Sequence, residues 1–156
     1  MIEQDSLHQE IRLEALEERL RNAATLTPDL VNETIGEACP RVAALGPEAQ
    51  ATVRRLIEAG ALTDAVLRLI ELALPQWRLR RLACEYGEWH CSLSRQPWLP
   101  LGFDEIVEAT HEILPLAILI ALVEARRLGQ MRVTAASSVP QVSAAKMYSF
   151  SCDNYA

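Results

Sequence analysis

Apolar residues recur at helical spacing through the first half of the chain, and the breaks between runs fall at proline, glycine and capping residues. From Ser6 to Ala24 the pattern predicts a helix with two apolar stripes. Leu13, Leu16 and Leu20 share one face, while Leu7, Ile11 and Ala15 lie roughly opposite. Glu17 and Arg21 are spaced for a favourable i,i+4 ion pair. Thr27 followed by Pro28 predicts a helix start, because the hydroxyl can cap orphan amides and proline is pre-set for the first turn. That helix turns Val31, Ile35 and Ala38 inward and stops or kinks near Cys39-Pro40. Pro47 opens another, with Ala49, Val53, Leu56 and Ile57 as its stripe and Gly60 as its end. Thr63 is expected to cap the next, where Val66, Leu69, Ile70, Ala73 and Leu74 repeat until Pro75. A last long helix is expected between Asp104 and Leu128, ended by Gly129. Pro115 should kink it or break it near Thr110, since proline removes a hydrogen bond to His111. Its section Ile113–Val123 is apolar nearly all round, as a helix surrounded by other elements must be.

The pattern changes over residues 76–94. A helix would align Leu82, Tyr86, Trp89 and Leu93 but would carry Gly87 in its middle. A hairpin instead uses "EYGE" as its turn and gives "WHCSL" an apolar/polar period of two. The hairpin is the better reading, with Cys84 opposite Trp89 and Leu82 opposite Cys91. Bringing Trp77 and Leu79 onto the face of Leu82 requires one extra residue near Arg80-Arg81, a β-bulge. In this register Trp89, Cys91 and Leu93 point inward and His90 and Ser92 point outward.

The expected architecture is therefore mainly α: a compact bundle of about five helices, with one small β-hairpin before the central last helix. Residues 1–128 form a single helical domain. Residues 129–156 lose the period and read as a flexible tail, with "MYSFSCDNY" as a sticky end. Half of the 156 residues are apolar and 23% are charged, which suits a globular domain able to bury its own core. The net charge of -6 disfavours nucleic acid and anionic membranes as partners. The N-terminus has neither the basic nor the apolar region of a signal peptide, and the apolar run at Ile113 is too short to span a bilayer. The chain is expected to be cytoplasmic, with Cys39, Cys84, Cys91 and Cys152 as reduced thiols.

Candidate chemistry is sparse. Glu108 and His111 form an E-x-x-H spacing, with Glu112 beside them. On a helix, i and i+3 share a face, as in di-iron bundles, but such sites need a second copy and further carboxylates. The competing reading is a polar first turn before a buried helix. His90 and Cys91 are adjacent in a strand and face opposite ways, and the spacing of Cys84 from Cys91 matches no zinc signature. Both cysteines read as small buried hydrophobes under the Trp89 side of the hairpin. Arg78, Arg80, Arg81 and Arg95 concentrate guanidinium on the hairpin, with Arg54, Arg55 and Arg68 on preceding helices. They suggest a surface for an acidic or nucleic-acid partner, or edge charge that blocks aggregation and is paired to local glutamates. "PWLP", Pro97 to Pro100, reads as a stiff link that carries Trp98 into the core.

No phosphate-binding loop, nucleophile elbow or other catalytic signature is found, and no cofactor is implied. The functional expectation is a small non-enzymatic protein that serves as a protein–protein interaction or regulatory module. It is expected to self-associate, as a homodimer, through Leu7 and Ile11 on the outer stripe of the first helix, while the hairpin arginines offer a second contact surface. The alternatives are a metal-binding protein or enzyme built on Glu108, His111 and Glu112, with His90 as a further candidate, and an arginine hairpin that binds an acidic or nucleic-acid partner.

Overall fold

The computed structural model describes residues 2–100 and 102–137. These form five helices, α1 (Ile2–Asn22), α2 (Pro28–Ala38), α3 (Pro40–Ala44), α4 (Pro47–Glu58) and α5 (Leu62–Ala73). Three strands follow, β1 (Arg78–Glu85), β2 (Glu88–Ser94) and β3 (Ile106–His111), and then α6 (Leu114–Ser137). The architecture is mainly α with one small antiparallel sheet in the order β1-β2-β3. Among the described residues, no helix is long and apolar enough to cross a membrane.

Proline and glycine punctuate the helices where expected. The Thr27 hydroxyl accepts the Leu30 N–H at 3.3 Å, and Pro28 opens α2. Pro40 ends α2 and opens α3, a one-turn helix that the apolar pattern did not reveal. Gly46, at φ 91, precedes Pro47 and lets the chain turn into α4. Thr63 does not cap α5: the helix starts one residue earlier, after Ala61, without a side-chain cap.

The core gathers around α6, in which every residue from Leu116 to Val123 is fully buried. α6 packs against α1, α2, α5 and the sheet, so no side of this section is left for polar residues. α1 runs antiparallel to it. Leu13, Leu16 and Leu20 are fully buried, and Ser6, Glu17 and Arg21 meet Thr134, Arg127 and Glu124 of α6 in turn. α2 lies on the other flank of α1, joined by the ion pairs Arg12–Glu37 at 3.1 Å and Arg19–Glu33.

The hairpin forms with the expected register. Cys84 pairs with Trp89 and Leu82 with Cys91, and the register shifts between Leu79 and Arg81. Tyr86 and Gly87 both take positive φ, 54° and 86°, the requirement of a two-residue type I′ turn. Gly meets that requirement without strain, whereas Tyr86 holds a left-handed conformation with its ring in solvent.

Three expectations fail here. The stretch from Asp104 is not the start of a long helix. Ile106–His111 forms β3 instead, pairing Cys91 with Ala109 and Leu93 with Val107. Pro115 explains the boundary. In the first turn of α6 its missing N–H costs nothing, whereas inside a longer helix it would break the ladder. Gly129 does not stop α6, which continues to Ser137, so residues 130–137 are helical; the rest of the expected tail, with "MYSFSCDNY" and Cys152, lies outside the described residues. Ser92, expected on the outward face of the hairpin, is not left to solvent either. β2 is the central strand, and Ser92 and Ser94 are buried, because a third strand pairs alongside and the 95–105 connection returns across this end.

Candidate functional site

β3 separates the residues of the E-x-x-H pattern. In a strand, i and i+3 face opposite ways, so Glu108 lies on the outer face beside Ser92 while His111 pairs with Trp89 on the face of Cys91 and Ala109. The His111 ring accepts the Ile113 N–H at Nδ1, 2.9 Å away, and so caps the approach to α6. Glu112 follows in the connection and is exposed. The helical geometry expected for Glu108, His111 and Glu112 is thereby overturned. Among the described residues, no three His, Cys, Asp or Glu side chains converge as a metal set.

The cysteines divide by depth. Cys39 and Cys91 are buried, and burial pushes both thiols up to about 12, in Cys39 against the opposing charge of Arg126. Such thiols stay protonated and are poor nucleophiles. Cys84 is exposed on edge strand β1, next to the turn, rather than buried as expected.

The hairpin arginines are largely spoken for. The Arg80 guanidinium, at the bulge, reaches Asp104 at 2.9 Å. Asp104 also accepts the Ser94 hydroxyl and the Gln96 N–H, and its side chain has no solvent exposure. Burial pushes its carboxyl upward, but these two donors and the Arg80 charge outweigh it and hold the pKa below the usual carboxylate range. Arg81 pairs with Glu85 along the strand, and Arg78 donates to the carbonyls of Pro75 and Trp77. Asp104 thus closes the connection between β2 and β3, and that closure leaves Trp98 three-quarters exposed instead of in the core.

Arg95 belongs to a different place. A groove of about 570 Å³ runs between the start of α3, the α5–β1 connection and the outer half of α6. Arg41, Arg95, Arg126 and Arg132 line it over an apolar floor that includes Trp77 and Leu74, and among the described residues its lining contains no carboxylate. Glu105, beside it, pairs with both Arg95 and Arg132. The Arg41 and Arg126 side chains make no ion pair among the described residues, and Arg126 Nε is buried without an acceptor. Sequence reasoning named Arg95 but missed the other three. They are spread over α3 and α6, and no local signal brings them together. A smaller hollow of about 360 Å³ between α1 and α2 is lined by charges of both signs, including the Arg12–Glu37 pair.

On α1 the outer stripe stands clear of the core. Leu7 and Ile11 are 58% and 55% exposed on the side away from Leu13, Leu16 and Leu20. Compared with family models, curated proteins and solved structures, the chain matches none.

Proposed function

We propose that the protein is a small cytoplasmic, non-enzymatic interaction module that self-associates through the outer stripe of α1. One observation carries this reading: Leu7 and Ile11 are more than half exposed on a helix whose opposite stripe is fully buried. α2 and α6 occupy the two flanks of α1, so this third side projects away from the domain. Antiparallel pairing of two α1 helices about a two-fold axis at Ile11 sets each Leu7 near Ala15 of the second copy, which suits the commonest oligomer symmetry. Two apolar side chains per copy form a contact well below the size of a permanent interface, so the association is weak and concentration-dependent.

Light scattering across a concentration series tests the reading. The wild type should rise from monomer toward dimer mass, and Ile11→Glu should remain a monomer. A wild type that is monomeric at high concentration rejects self-association, and a dimer that survives Ile11→Glu rejects this surface.

A further inference from the structure

We infer that the arginine-lined groove between α3, the α5–β1 connection and α6 binds an acidic segment of a partner protein, one in which carboxylates alternate with apolar side chains. Charge comes first. Four guanidiniums converge on the groove, Glu105 is the acid paired with two of them, and the chain as a whole carries a net charge of -6. Such a local excess against the global sign costs self-repulsion, which an anionic occupant relieves. Hydrogen bonding points the same way. Arg41 and Arg126 have no acidic partner among the described residues, and the Arg126 Nε–H is buried without an acceptor. An unpaired guanidinium such as Arg41 offers its terminal N–H groups, which a carboxylate accepts in forked geometry.

The floor decides between a peptide and a bare anion. Trp77 and Leu74 lie at its base, and Pro40 and Pro75 flank it. Phosphate would leave this apolar surface unused, whereas an apolar side chain between two acidic ones would cover it. A volume of about 570 Å³ falls within the range of small-ligand sites and admits a few residues of extended chain. The groove shares no residue with the α1 stripe, so the two proposals stand or fall separately.

The test uses the full chain and a short fluorescein-labelled peptide alternating glutamate and leucine, followed by fluorescence anisotropy at physiological ionic strength. Saturable binding is expected, weakened about tenfold or more in Arg41→Ala/Arg126→Ala, since each lost charge-assisted contact is worth on the order of a factor of ten. Arg132→Ala, a change at an exposed side chain, should weaken it less while keeping the wild-type melting temperature. A peptide with glutamine in place of glutamate should bind poorly. Absence of binding, or equal binding by the double variant and wild type, overturns the proposal. So does displacement of the peptide by millimolar inorganic phosphate, or tighter binding of a single-stranded oligonucleotide, because either makes the groove a general anion site.

Discussion

Arg78, Arg80 and Arg81 stand almost side by side along β1, whereas Arg41, Arg95, Arg126 and Arg132 come from α3, the end of β2 and α6. In the chain the first set looks like a charged surface and the second is scattered. Folding reverses this impression. The hairpin arginines are absorbed by Asp104, Glu85 and two backbone carbonyls, and Arg80 helps to hold a connection closed. In the groove, Glu105 pairs with Arg95 and Arg132, and Arg41 and Arg126 are left without an acid among the described residues. Arg81 draws its acid from its own strand and Arg80 from 24 residues away, so closeness in the chain does not fix which guanidinium is neutralised. An arginine's role is therefore read from its partners rather than from its neighbours in the chain.

The difference can be pressed by removing partners. The largest effect is expected at a third kind of arginine site, the α1–α6 seam, where Glu17 receives both Arg21 and Arg127 at 2.7 Å. Burial raises the Glu17 carboxyl, but the two guanidiniums prevail and lower it, while burial and the nearby Glu17 charge raise Glu124. Glu17→Ala leaves Arg127, whose side chain is three-quarters buried, with the more distant Glu10 at 4.0 Å, and should cost about 1–3 kcal/mol in chemical denaturation. Glu124, freed from that repulsion, should then titrate at lower pH, which carbon-detected NMR would register. An unchanged denaturation midpoint would mean that the seam is held by leucines alone.

A smaller loss, with a distinct pH signature, is expected at Asp104. Its folded pKa lies below the unfolded value of about 3.9, so its contribution is present above that value and is lost as the pH falls through the folded pKa. Asp104→Asn should lower the melting temperature at neutral pH and flatten the decline seen in the wild type below about pH 5. Parallel decline in both proteins would show that Arg80 and Ser94 gain nothing from the charge.

The smallest effect should come from the groove itself. Arg126→Met removes a guanidinium with no ion-pair partner and a buried donor with no acceptor, while keeping the apolar stem. Its stability should stay within about 0.5 kcal/mol of wild type or rise slightly. A loss of more than about 2 kcal/mol would place Arg126 with Glu17's partners as a structural arginine, and would dissolve the contrast between the two regions.

Much of the fold could be read in the chain because its signals are local. Thr27-Pro28, Pro47 and Gly60 punctuate the backbone, since capping and fixed φ act within one turn. The hairpin register followed from the period of two in "WHCSL", and the bulge between Leu79 and Arg81 from the phase of Trp77 and Leu79 against Leu82. The apolar run in α6 marked the centre of the core, because a helix without a polar face must be surrounded. β3 was missed although "IVEATH" alternates and is β-branched. It was absorbed into the long helix expected from Asp104, and pairing with β2, a non-local partner, decided the conformation instead.

What the sequence determined by itself is α1, α2, α4 and α5, the apolar centre of α6, the hairpin register and the two-sided character of α1, all consequences of periodicity and capping within a few residues. What only the tertiary structure decided is the third strand, the burial of Ser92 and Ser94, the parting of Glu108 from His111, and the groove. Each depends on which distant segment lies alongside. Strand pairing supplies backbone partners from far along the chain, and the packing of α6 against the α5–β1 connection brings Arg126 and Arg132 to Arg41 and Arg95, residues with no local reason to meet.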